Sequence, residues 1–302
     1  MTSNIVNLHG VEFNGPDSPV MSSTDGSIVI MKDLSGEFTS FSVINKNLED
    51  VSSFLNNFNI KMLAIENLSP EKIICDLNSI SNISNLEKLF LELGAQDTLV
   101  NSEKLMDADG LTELSIKGEF PNDFIQPSLL KNLCKLTIRA NSKKSKQWLS
   151  KSQQVVDLIV HDYSEKNLEI FDGFSKLTRI CLVQGRILGF DGIEKIHNLQ
   201  TIHIVACKYI SDVQSIVKSR SLKGIMFEKV NYLKDWDFLS NIKQLEFIWL
   251  ELANNISFIE NLPRLRYFKC KKIIDEGDEL IKSFGFENLP PRASIFYTPL
   301  CK

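Results

Sequence analysis

From residue 38 to residue 270 the apolar positions of this chain follow one six-residue pattern, apolar-x-x-apolar-x-apolar. "LTRICLVQG", Leu177 to Gly185, returns 22 residues later as "LQTIHIVAC", Leu199 to Cys207, with the apolar places kept and the others changed. Copies begin at Phe38, Ile60, Leu86, Leu111, Leu133, Val155, Leu177, Leu199, Leu222, Leu245 and Leu265, spaced 22, 26, 25, 22, 22, 22, 22, 23, 23 and 20 residues apart. One match to so loose a pattern carries no weight, but five consecutive steps of 22 or 23 residues after Leu133 do. Alternation predicts a short strand at each copy, with places four and six facing a core together with place one. Places three, five and seven then face outward. A single coil cannot bury its own apolar side, so stacked neighbours must supply the core, and the period is preserved for that reason.

The segments between the strands repeat as well. "GFDGIEKIHNL", "YISDVQSIVKSRSL", "DFLSNIKQL" and "SFIENLPRL" each set apolar residues ahead of the next strand. This combination resembles the leucine-rich repeat family, in the short 22-residue form found in bacterial internalins and in phosphatase-regulating repeat proteins. The resemblance implies an α/β leucine-rich-repeat solenoid: a curved parallel β-sheet of eleven coils, with short helical or irregular convex segments and terminal caps. The expected division is 1–37 as an N-terminal β cap, 38–270 as the solenoid and 271–302 as a C-terminal cap. In the cap, "DEGDELIKSFG" reads as a short helix and "ENLPPRASIFYTPL" as an extended tail. The family's buried asparagine, three residues past the last strand leucine, is present as Asn141, but Gly94, Gly185, Cys207, Val230 and Ala253 stand in the equivalent places. That ladder is incomplete.

Composition narrows the function. The 302 residues are 43% hydrophobic and 24% charged with a formal net charge of −4, the profile of a folded domain. Mild acidity argues against nucleic acid or an anionic membrane as partner, and is compatible with a basic protein. The first residues lack a basic run followed by a long apolar one, and no window approaches the roughly 18 apolar residues of a membrane span. The expected location is therefore cytoplasmic, with no membrane association. Six cysteines without Cys-x-x-Cys spacing read as small buried thiols in a reducing compartment. The Asn-x-Ser matches at Asn67, Asn82 and Asn255 are expected by chance in a chain this rich in both residues.

Catalytic signatures are missing: no phosphate-cradling glycine loop, no Gly-x-Ser-x-Gly, no His-Glu-x-x-His. "DADGLTE", Asp107 to Glu113, has its glycine at the fourth place, whereas a calcium loop needs it at the sixth. Cys181 and His203 share place five of successive coils, about 4.8 Å apart, with His161 two coils before His203. A thiol beside an imidazole can form a nucleophile. The pattern implies neither an orienting carboxylate nor an oxyanion donor, so the pair reads as ordinary surface, with no catalytic residue, metal or cofactor expected.

The outward places carry the functional expectation. Place five runs Ile159, Cys181, His203, Met226, Trp249, Lys269, and place three ends Gly224, Phe247, Tyr267. Place seven runs Val183, Val205, Glu228, Glu251, Lys271. Met226, Phe247, Trp249 and Tyr267 are expected to form one exposed cluster beside Glu228 and Glu251, with His203 at its margin. Aromatic residues and methionine on an otherwise open face are typical interface anchors. The alternative is that the C-terminal tail folds over them. The expected function is a non-catalytic protein-binding module, monomeric when free. Its leading form is a bacterial immunity protein that neutralises a toxin, which would be basic. The alternative is an internalin-like secreted effector or adhesin that binds a host protein.

Overall fold

Each of the eleven copies forms a strand that begins at or near its third place. The computed structural model describes residues 5–15, 18–230 and 232–275, and the chain divides into two units, Met1–Lys151 and Ser152–Lys302. The first unit opens with β1 (Ile5–Leu8), β2 (Val11–Asn14), β3 (Val20–Ser23) and β4 (Ile28–Lys32), each antiparallel to the next. β4 is antiparallel to β5 (Phe38–Ile44), the strand of the first copy. The chain continues through β6 (Met62–Glu66), β7 (Ile74–Asp76), β8 (Lys88–Glu92), β9 (Thr98–Val100), β10 (Glu113–Ile116) and β11 (Lys135–Arg139). From β5 through β6, β8 and β10 to β11 the pairing is parallel, and β7 and β9 form a separate two-stranded sheet. Register confirms the repeat: Ser40, Met62, Lys88, Glu113 and Lys135, all at place three, lie opposite one another in turn.

The second unit is built the same way from β12 (Asp157–His161), β13 (Arg179–Val183), β14 (Thr201–Val205), β15 (Gly224–Glu228), β16 (Phe247–Ala253) and β17 (Tyr267–Ile273). Neighbours are parallel throughout, and Asp157, Arg179, Thr201, Gly224, Phe247 and Tyr267 align at place three. Place four is buried in all eleven copies, and so is place six up to Leu250, with Leu182 and Ile204 both at 0% exposure. Cys270, at place six of the last copy, is only half-buried. A strand's inward side chains are thus covered by the coils before and after it.

Return segments are mainly single 3₁₀ turns, such as Ile193–Lys195, Gln214–Lys218, Asp237–Asn241 and Ser257–Asn261, which bury Ile193, Ile216, Leu239 and Ile259. A coil of 22 residues leaves little chain for the return leg, and a 3₁₀ turn closes it in the fewest residues. Among the described residues of the first unit there are two α-helices. α1 (Leu48–Leu55) buries Leu48, Val51, Phe54 and Leu55, and α2 (Lys143–Ser150) starts from a Ser142–Ser145 capping box.

The incomplete asparagine ladder has a local substitute. Cys207 is fully buried, and its Sγ accepts from the backbone N–H of Gly185 at 3.2 Å and lies 3.6 Å from the carbonyl oxygen of Leu182. Tyr232 Oη donates to the carbonyl of Cys207 at 2.6 Å and accepts from Ile210 N–H at 3.0 Å. Backbone groups that asparagine would serve are thereby satisfied by a thiol and a phenol. Cys75, Cys181, Cys207 and Cys270 are free thiols; Cys134 is disulfide-bonded, so the expectation of six reduced thiols fails at that position. Among the described residues no helix is long and apolar enough to cross a membrane. The expected C-terminal helix and tail lie outside the described residues, beyond Asp275.

Candidate functional site

Strands β14 to β17 bring the predicted residues together. His203, Met226, Trp249 and Lys269 are consecutive register partners at place five, and Phe247 pairs with Tyr267 at place three. Glu228, at place seven, lies opposite Val205.

The expected exposed cluster is a packed one. Met226, Phe247 and Trp249 are 3%, 6% and 6% exposed, and half-buried Tyr267 packs against them. The ammonium of Lys269 lies 5.3 Å from the centre of the Trp249 ring, a cation–π contact. Alternation along a strand sets the direction of a side chain, not its exposure. At a strand spacing of about 4.8 Å, residues as large as tryptophan, phenylalanine and methionine cover one another's flanks. The alternative expectation, a C-terminal tail over the cluster, falls outside the described residues.

The two carboxylates are not free charges. Glu251 Oε1 accepts from Lys271 Nζ at 2.7 Å, and Oε2 accepts from the backbone N–H of Lys229 at 3.2 Å. The bond from Lys271 is the main reason its carboxyl is held below the ordinary glutamate range. Glu228 Oε1 lies 3.4 Å from His203 Nε2. With Lys269 and Lys271 exposed beside them, the rim carries mixed charge. Both lysines occupy predicted outward places, so their positions were readable; their pairing was not.

Sequence reasoning found no orienting carboxylate for the thiol–imidazole pair, and the structure supplies one. Cys181 Sγ is 3.5 Å from His203 Nδ1, and Glu228 sits on the opposite ring nitrogen. Thiol, imidazole and carboxylate therefore form a line across β13, β14 and β15. Burial pushes the Cys181 thiol up to about 12, reinforced by Cys207, Asp157 and Glu228, so it rests as the neutral thiol. His161, expected near this pair, is the register partner of Val183 rather than of Cys181. Among the described residues no group of three or more His, Cys, Asp or Glu side chains is arranged to hold a metal ion.

No protein-family model and no curated protein matches the sequence. Solved structures do. The internalin InlF of Listeria monocytogenes is similar to this chain with a TM-score of 0.52 at 17% identity, over 78% of this chain and 67% of InlF. The functional domain of Listeria monocytogenes InlJ gives 0.45 at 13% identity, over 74% of this chain and 55% of that domain. A leucine-rich-repeat protein of Leptospira interrogans gives 0.43 at 13% identity, over 74% and 69%. The repeat register and the likeness to InlF together show that this chain has the bacterial, internalin-like leucine-rich-repeat fold.

Proposed function

We propose that this chain is a protein-binding module whose contact surface is the outward face of β14 to β17. The observation that supports it is the contrast between places on the same strands. Places four and six are aliphatic or aromatic in every strand except for Cys270 at place six of β17, whereas places three, five and seven bring a tyrosine, a histidine, two glutamates and two lysines around a packed aromatic patch. In this reading Tyr267, His203, Glu228 and Glu251 contact the partner, and Met226, Phe247 and Trp249 support Tyr267 from beneath. Rim charges of both signs select the partner by complementarity and set the rate of encounter.

The finer reading is an immunity protein that masks a toxin, favoured by the net charge of −4, which complements a basic partner. A second reading, favoured by the likeness to InlF, is an exported binding protein of internalin type that engages a host protein. Co-expression with the product of the adjacent gene in the source genome tests both. If that product arrests growth alone, is harmless with this chain and co-purifies with it, the first reading holds. Tyr267→Ala combined with Glu228→Lys must then abolish rescue and complex while the protein stays folded. Rescue that survives this double change would place the contact surface elsewhere. An adjacent product with no toxicity and no complex would leave the internalin-type reading.

A further inference from the structure

We propose that Cys181, His203 and Glu228 form a base-assisted thiol site that takes up a neutral α,β-unsaturated carbonyl compound by covalent addition. Three observations carry this beyond the binding reading. His203 Nδ1 lies 3.5 Å from Cys181 Sγ, within reach of its proton. Glu228 Oε1 lies 3.4 Å from Nε2, on the far side of the ring, where it stabilises the imidazolium that forms. Cys181 is half-buried on an outward place of β13, whereas Cys75 and Cys207 are closed off in the core.

The type of electrophile follows from the surroundings. Among the described residues no backbone or side-chain donor set is placed to stabilise the oxyanion of acyl transfer, which argues against thioester or peptide substrates. Addition to a conjugated carbonyl depends on such donors less, because its charge is delocalised over an enolate that His203 can protonate at carbon. The S–C bond forms at the β-carbon as the C=C π bond breaks, and the thiol proton passes to Nδ1 of His203. That proton then moves to the α-carbon as the enolate collapses, so nothing leaves and nothing is oxidised. Half-buried Ile159, Val183 and Val205 flank the thiol, and Asp157 and Glu228 contribute negative charge near it. A neutral reagent is therefore preferred over an anionic one. Because the resting thiol is neutral, His203 must accept the proton in the same step that forms the bond.

The experiment is acrylamide addition to the full chain between pH 5 and pH 9, with adducts at each cysteine counted by peptide mass spectrometry. In the wild type the Cys181 rate rises as His203 loses its proton and then levels off. Among the described residues, Cys181 on β13 and Glu228 on β15 lie beside the imidazole, and the Arg179-paired Asp157 and buried Cys207 act on the Cys181 thiol. His203→Asn should slow Cys181 at least tenfold at pH 7.5 and remove that rise, with Cys270 in the same sample unchanged. Glu228→Gln should lower the plateau severalfold and move the midpoint to lower pH, because an anion beside the imidazole raises its pKa. Acrylate, normalised to N-acetylcysteine, should add at least fivefold more slowly than acrylamide. Continued protection of Cys75 and Cys207 reports that each variant is folded. If His203→Asn loses that protection, Glu228→Gln decides the matter. A Cys181 rate that ignores both changes, or that tracks thiol ionisation alone, overturns the proposal.

Discussion

Lys271 Nζ stands 2.7 Å from Oε1 of Glu251 on the neighbouring strand, so this outward carboxylate is ion-paired within the chain. The pair lies at the surface, the lysine side chain being 69% exposed. Lys271→Ala should therefore cost under about 1 kcal/mol at neutral pH. The sign of the pH effect follows from the lowered folded-state pKa of Glu251. Its contribution is fully present above the unfolded value of about 4.3 and is lost as pH falls through the lower folded value. Melting curves between pH 2 and pH 7 should show a smaller acid-side loss in Lys271→Ala than in the wild type. Identical acid limbs would mean that the pair adds nothing.

Leu182 and Ile204, both fully buried at place six of adjacent coils, test the repeat register. Either replaced by alanine should cost about 2–5 kcal/mol in urea unfolding. Thr201→Ala, at a half-buried outward place, should cost about 0.5 kcal/mol or less. Equal costs at the three positions would contradict the inward and outward assignment.

Trp249 separates packing from recognition. With 6% of its surface exposed, Trp249→Ala should lower stability by about 3–5 kcal/mol, as truncation of a core aromatic does. Tyr267→Ala, at the half-buried edge of the same cluster, should cost about 1 kcal/mol and act mainly on partner affinity. A Trp249→Ala protein that melts like the wild type would restore the exposed-anchor reading.

Cys207 holds two coils together at the ladder place. Cys207→Ala leaves the N–H of Gly185 without its acceptor in the interior and should cost about 1–3 kcal/mol. Burial pushes this thiol up to about 11, so a thiol reagent should not reach it in the native state and should react only after unfolding. Fast native-state labelling at Cys207 would mean that these coils open locally.

The repeat period alone determined the fold, the eleven strands and which residues share a face. Spacing of 22 or 23 residues leaves one register for stacked coils, and the alternation of a strand follows from its backbone geometry. Hence the sequence alone sets Cys181, His203 and Met226 in line. What those neighbours do to one another was decided by the tertiary structure. Outward placement of Met226, Phe247 and Trp249 did not mean exposure: the three pack against one another, with Tyr267 beside them, and alternation along a strand carries no information about such packing. The Glu228 contact to His203 runs diagonally, from place seven to place five, and depends on side-chain reach that no period encodes. Cys207 and Tyr232 took over an asparagine's duties for a similar reason. Backbone donors and acceptors at a coil corner demand partners, and whichever polar group the packing brings within hydrogen-bond distance supplies them.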